Sequence, residues 1–410
     1  MSDYDLIVIG GGASGFFAAI TCAEVSPTPR RILILEKAPE VLQKVKISGG
    51  GRCNVTHDCH DPRLFVSHYP RGQKTLPGPL HRWNAADMIN WLADKGVALK
   101  VEADGRIFPI TDDSQTIIDC FHAAARDAGI EIRCRQEVSD VTFRDDHFSL
   151  ELKSGEVLTC SNLLVATGGI RNPSGKKFAE TFGHTTQDAA PSLFTFKITD
   201  PRIEGLAGIS VPLGKATVSG TKFEEMGPIL ITHWGLSGPG ILKVSAWGAR
   251  ELYEMNYRFQ AVINWVAKET EDEVQRHLSS LRTNHGKQSI FANPQFSIPT
   301  RLWKRLCEAA EISPDTKWGN LSRVQLNALK GQLTSCEFQV EGKSMNKDEF
   351  VTCGGVNLKE VNFKTMESKL QPCLFFAGEV LDIDGVTGGF NFQSAWTTGR
   401  IVGETIGSRD

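Results

Sequence analysis

No apolar run in the 410-residue sequence approaches the ~18 residues of a membrane span. No block of like charge stands out either, and 45 Lys and Arg face 48 Asp and Glu for a formal balance of -3. That near-neutrality gives no chain-wide electrostatic footprint for nucleic acid and no charged tail. The ten cysteines form no CxxC pair, which argues against a disulfide framework and for reduced thiols in a cytoplasmic protein. The acidic start, Met1-Ser2-Asp3-Tyr4-Asp5, runs straight into a short apolar stretch and does not read as a secretory leader. Internal repeats and low-complexity segments are absent. What is left is a globular protein of two or three domains, expected to act on a small molecule with neither nucleic acid nor membrane as partner.

The clearest positive signal is at the front. Asp5–Ile9 is a continuous apolar run, as expected of a strand buried on both faces, and it stops at Gly10-Gly11-Gly12-Ala13-Ser14-Gly15. Phe16–Ala23 then reads as a helix and Arg31–Glu36 as a second buried strand. A Gly-x-Gly-x-x-Gly in this setting, with Glu36 closing the next strand, is the Rossmann dinucleotide fingerprint. Gly10 permits the turn, Gly12 lets the backbone approach a diphosphate, Gly15 allows close helix–strand packing, and Glu36 accepts from ribose hydroxyls.

Further along, 41–60 reads as a Gly-rich polar loop, and Ala85–Lys95 and Thr116–Ala128 as helices. The runs Ile130–Cys134, Ser139–Phe143, Phe148–Leu152 and Glu156–Thr159 look like an antiparallel meander. Asn162–Ala166 returns to a buried strand ending in Thr167-Gly168-Gly169. The texture changes near Pro191. Residues 192–266 read as mainly β and 267–341 as mainly helical, with a stripe at Leu302, Trp303, Leu306 and Ala309 and a capping box at Ser322–Gln325. The expected class is therefore α/β: a Rossmann-type nucleotide-binding domain from 1–191 and 342–410, interrupted by an α+β insert from 192–341.

No second Gly-x-Gly-x-x-Gly has a strand–helix setting, so a separate NAD(P) domain is not visible. The strand ends Ala166-Thr167-Gly168-Gly169 and Phe376-Ala377-Gly378-Glu379 look like the remaining FAD-contact motifs of the glutathione-reductase-like superfamily, which favours FAD as the tightly bound cofactor. The loop Lys44–Thr56, with Ser48-Gly49-Gly50-Gly51-Arg52-Cys53-Asn54, suits a backbone wrapped around a planar or anionic ligand, and Arg52 offers charge-assisted donors.

With these blocks, with Thr232-His233-Trp234-Gly235-Leu236-Ser237-Gly238-Pro239, Gly354-Gly355-Val356 and Thr365–Lys369, and with Ala377–Gly385 and Gly388–Gln393, the chain resembles the BaiN-like, aminoacetone-oxidase-like family of bacterial FAD-dependent flavoproteins. The blocks occur in the family's order over nearly the whole chain. The resemblance implies FAD contacts from Gly10, Gly12, Ala13, Ser14, Gly15, Glu36 and Lys37, and from Lys44, Ser48, Gly51, Arg52, Cys53 and Asn54. It extends them to Val138, Thr167, Gly168, Gly169, Gly378, Glu379, Asp384, Gly389, Asn391, Phe392 and Gln393. Two departures stand out: His57 where the family usually has Asn, and Asn172–Lys177 where it usually has a Gly-rich stretch.

Cys53 and Cys59 lack the spacing of a flavin-linked redox disulfide, and with His57 and His60 they complete no known zinc pattern, so no metal is expected. His233 is the general acid/base candidate outside the flavin motifs, against a purely local role in its turn. The expectation is an FAD-dependent oxidoreductase that passes hydride between flavin N5 and a small organic substrate. The flavin would be reduced by diffusible NAD(P)H or by an amine or alcohol, and reoxidised by an activated C=C bond or by dioxygen. The alternative is a flavin-binding redox sensor or accessory protein without turnover.

Overall fold

Leu6, Ile7 and Val8 have no exposed surface, and the strand they form, β1 (Tyr4–Ile9), lies at the centre of a parallel sheet. The structure, a computed structural model, describes residues 2–171, 173–344 and 351–409. It divides into two compact units, 1–191 with 347–410, and 192–346. The sequence places the corresponding boundaries at 191/192 and 341/342.

In the first unit β1 leads into helix α1 (Ala13–Val25) and then β2 (Ile32–Glu36), which pairs parallel to β1. Helix α2 (Gln115–Asp127) returns the chain to β3 (Glu131–Cys134), parallel to β2. Ile130–Cys134 therefore belongs to the parallel sheet and not to the meander: the crossover through α2 makes a second β-α-β unit of it. The meander proper is β4 (Val138–Arg144), β5 (His147–Leu152) and β6 (Val157–Val165). The two stretches read separately as Glu156–Thr159 and Asn162–Ala166 are this one strand. Its first half pairs antiparallel with β5 and its second half parallel with β1. β7 (Leu374–Phe376) adds to the other side of β6, again parallel.

The segment 41–60 is less open than expected. A helical turn begins at Gln43 and breaks at Ser48–Gly50, where Gly49 and Gly50 take positive φ of 58° and 70°. Asn172 lies outside the described residues; Pro173–Thr181 after it is helical.

Helix α3 (Phe390–Gly407) packs along α1 through three glycines one turn apart. A Cβ at Gly399, Gly403 or Gly407 would come within 2.5–2.6 Å of the carbonyl oxygens of Ser14, Ala18 and Cys22, respectively. The two helices thus run parallel, with backbones nearly touching, and their N-termini face the same way.

The second unit carries a seven-stranded antiparallel sheet in the order 336–340, 259–264, 210–218, 224–232, 235–237, 195–197, 342–344. Its region read as mainly β also contains the helices Pro239–Trp247 and Ala249–Glu254, whose short apolar runs resemble strands in sequence. The helices Glu271–Asn284, Thr300–Ala309 and Arg323–Thr334 follow. Trp265, Trp303 and Trp318 fill its core with Leu326, Leu329 and Leu333. Ala309 proves exposed; Ala310 takes the inward place. Among the described residues no helix is long and apolar enough to cross a membrane.

Candidate cofactor site

Ile9, Val165 and Phe376 stand side by side in register at the carboxyl ends of β1, β6 and β7. The glycine turns of the three motifs singled out in the sequence follow directly from these residues, so the fold delivers all of them to one edge of the sheet. Ligands of open α/β sheets bind at this edge.

Gly10 has φ of 113°, and a Cβ there would strike the Ala166 carbonyl oxygen at 2.3 Å, so the first and second motifs touch through their backbones. Ser14 Oγ donates to the Ala377 carbonyl at 3.3 Å, and the Gly378 N–H donates to Thr398 Oγ1 at 3.0 Å, which ties in the third. Gly12 caps α1, and nothing lies within 4 Å of where its Cβ would be. The α1 N-terminus therefore presents unpaired N–H groups and positive dipole to open space, the requirement for a diphosphate.

A crevice beside it is lined by Gly10, Glu36, Lys37, Val138, Thr167 and Phe178. The Glu36 carboxylate accepts the Gly11 N–H at 2.9 Å and the Ala38 N–H at 2.8 Å, one on each oxygen. Each oxygen keeps a lone pair for a further donor such as a ribose hydroxyl. Thr167 Oγ1 is buried in the same crevice with no hydrogen-bond partner among the described residues. An orphaned hydroxyl, an open helix cap and a pinned carboxylate fit an adenosine diphosphate. Lys44 forms an ion pair with Glu379, whose Oε2 lies 4.0 Å from the Cβ position of Gly168. Lys44, Gly168 and Glu379 thus share one place.

The second half of the site gathers at the α3 N-terminus, capped by Gly389. The Asn391 side chain exchanges two hydrogen bonds of 2.8 Å with the backbone of Gly385. Phe392 stacks on Trp396 with ring centroids 5.5 Å apart. His57 Nδ1 donates to the Gly388 carbonyl at 3.0 Å, and its ring lies 4.7 Å from Phe390, so the departure from Asn braces the turn before α3. The loop motif is close by in the fold: a Cβ on Gly389 would meet the backbone of Thr56 at 2.5 Å. Gly50 and Gly51 face open space, and Ser48 Oγ bonds back to the Val45 carbonyl. Gly169 instead packs on Thr352.

Four expected contacts are engaged with protein. Arg52 pairs with Glu102 at 2.7 Å and lies over the Phe108 ring, so its guanidinium is committed within the loop's own surroundings. Asp384 is fully buried and forms an ion pair with Arg71, and Gln393 accepts from Thr56 at 2.7 Å in the interior. Asn54 is buried and accepts from the Ile107 N–H. Cys53, at φ of 60°, is wholly buried, and burial pushes its thiol up to about 12. It forms no disulfide with Cys59. A thiol so protonated is a poor nucleophile. Arg71 went unnoticed in the sequence; only the fold brings it against Asp384. His233 sits in the second unit, exposed with Trp234 at the turn between strands Glu224–Thr232 and Gly235–Ser237. Among the described residues no cluster of His, Cys, Asp or Glu could hold a metal ion.

The parallel sheet, the glycine turn and the second helix terminus define a Rossmann-type dinucleotide-binding protein, the architecture of FAD-dependent oxidoreductases. The comparisons specify it further: residues 4–405 match the family described as the HI0933-like protein Rossmann domain, and the chain belongs to that family. It is 31% identical over 408 residues to the ribosomal RNA dihydrouridine synthase of Escherichia coli (strain K12), covering 97% of this chain and 96% of that one. It is 26% identical to the 3-dehydro-bile acid delta(4,6)-reductase of Clostridium scindens, over 98% of both. Among solved structures it is similar to the 3-ketosteroid-delta4-(5alpha)-dehydrogenase of Rhodococcus jostii RHA1, with a TM-score of 0.54 and 14% identity, covering 100% and 98% of the two chains. That likeness is one of fold.

Proposed function

We propose that the protein saturates a carbon–carbon double bond polarised by a carbonyl, with a uracil ring of ribosomal RNA as its substrate. The observation that carries the reading is the 31% identity along 97% of the chain to a ribosomal RNA dihydrouridine synthase. The bile-acid relative supports the same chemistry, since both names describe saturation of a C=C bond. Bound FAD supplies the hydride, and NAD(P)H is the proposed source of the electron pair. The chain's residues do the rest. Glu36 and the α1 terminus would hold the adenosine diphosphate, and the α3 terminus with the Gly388–Gly389 turn would offer backbone donors and positive dipole to the flavin end. Hydride addition to one carbon leaves the other needing a proton. His233, exposed at its turn in the second unit, is the proposed donor.

The test is incubation of the FAD-loaded protein with NADH or NADPH and an unmodified ribosomal RNA transcript. The expected result is flavin bleaching by one nucleotide, then dihydrouridine in the digested RNA by mass spectrometry. The bile-acid relative favours a second reading, a small conjugated enone as substrate, and the same assay with such an enone measures it. Failure to reoxidise the reduced flavin with either substrate sinks both.

A further inference from the structure

Between Glu273 and Glu308 the chain has no Asp or Glu, while Arg276, Arg282, Lys287, Arg301, Lys304 and Arg305 fall inside. This is the longest acid-free stretch of the sequence. It spans most of helix Glu271–Asn284, the connection after it, and the first two turns of helix Thr300–Ala309. The near-zero charge of the whole chain hides it. Residues 192–346 hold 18 Lys and Arg against 15 Asp and Glu, leaving 27 against 33 for the rest.

The inward faces of the two helices are apolar: Val274, Leu278 and Leu281 on one, Leu302, Trp303 and Leu306 on the other. The cations are on the outside. Arg276, Arg282, Lys287, Arg301 and Lys304 are exposed, and none of the five has a carboxylate partner among the described residues. Arg276 donates to the Asp272 carbonyl and feels the charge of Glu273 one turn back, and Arg301 donates to the Gly205 carbonyl. Arg305 alone is neutralised, by Glu308 at 3.3 Å. A helical face serving only solubility mixes signs, because acid–base pairs at helical spacing support the helix and like charges oppose it. Here the acids are confined to the first turn of one helix, Glu271–Glu273, and to Glu308 on the other, and the stretch between them keeps one sign. Exposed Ser279, Ser280, Thr283, Asn284 and Gln288 lie among the cations and add neutral donors, the mixture that meets phosphate and sugar oxygens.

We infer that this surface of the insert docks the phosphodiester backbone of structured RNA. The inference rests on the proposed reaction for its choice of polyanion, and it assigns to the insert the grip on a substrate far larger than the reacting ring. Phosphate contacts position without reading sequence, so the surface supplies affinity and leaves the choice of uridine to the rest of the protein.

The experiment compares the FAD-loaded wild type with R276Q/R282Q/K287Q/K304Q, all exposed positions, after circular dichroism has shown equal folding. Binding of a fluorescent ribosomal RNA transcript is measured by anisotropy across a salt series. Each lost phosphate contact lowers the slope of log K against log salt by about 0.7–0.9. The expected result is a slope shallower by about 3 and binding weaker by about tenfold or more at moderate salt. An unchanged slope and affinity in the variant overturn the inference. So does a wild type that prefers phosphatidylglycerol vesicles to RNA. Dihydrouridine formation separates the two readings. RNA held through this surface but never reduced counts against the proposed reaction alone. Reduction with undiminished binding in the variant counts against the surface alone.

Discussion

Glu36 is held at both oxygens by backbone N–H groups, so its carboxylate is aimed before any cofactor arrives. Glu36→Ala should weaken FAD binding by about 1–3 kcal/mol, the scale of lost hydrogen bonds to a charged group. Titration of apoprotein with FAD checks it, and unchanged affinity would place the ribose elsewhere. A second residue sets a pH limit. His184 is buried, bonded to Ser368 Oγ at 2.7 Å and Glu360 at 3.2 Å, and lies edge-on to Phe376 beside the third flavin motif. Desolvation lowers its pKa below 6.5 and outweighs the opposing pull of Glu360. The folded protein therefore binds fewer protons here than the unfolded chain, so stability is full above pH 6.5 and falls as pH drops below it. His184→Gln, which keeps a polar side chain without a titrating ring, should flatten the decline of Tm between about pH 6.5 and 5. An identical decline in the variant would assign it to other groups.

Helices α1 and α3 meet through Gly399, Gly403 and Gly407, and no side chain fits between them. Gly403→Val should force the pair apart, costing about 1–3 kcal/mol and loosening FAD, since both helix termini serve the cofactor. Thermal melts with and without added FAD measure it, and an unchanged Tm would show that the contact is slack. Elements with strong local signals were readable in the sequence: β1, α1 and β2 from an apolar run, a glycine turn and a second run, and Ser322–Gln325 from its capping box. The parallel β3 looks like meander in the sequence because a strand's partner is set by the crossover before it, and Ile130–Cys134 carries no mark of that. The helices after Pro239 do not show in the sequence because Ile241, Leu242, Val244 and Ala246 suit a strand as well as a helix. At the site the same rule holds. Gly10–Gly15 and Glu36 declare their role locally, whereas the engagement of Arg52 by Glu102 and of Asp384 by Arg71 depends on residues 50 and 313 positions away.

At the scale of the molecule, residues 186–192 pair with 351–356, so the chain leaves the first unit and re-enters it side by side. Replacing 192–346 with a short Gly/Ser linker should leave FAD uptake intact and abolish substrate reduction, because the motifs that hold FAD all lie outside the segment. Loss of FAD by a folded deletion variant would make the insert part of the cofactor site. The glycine contact between α1 and α3 also governs the order in which the molecule is made. On the ribosome, Ala13–Val25 emerges early and packs Phe17 against Trp91 and Phe121, but its face toward Gly399, Gly403 and Gly407 is covered only when Phe390–Gly407 follows, after 192–346 has been made. At roughly 5–20 residues per second that delay is on the order of tens of seconds. That one face of the first helix is left uncovered for that time. Cofactor capture is thereby a late event in the life of each molecule, and a chain truncated before Gly399 should never become yellow.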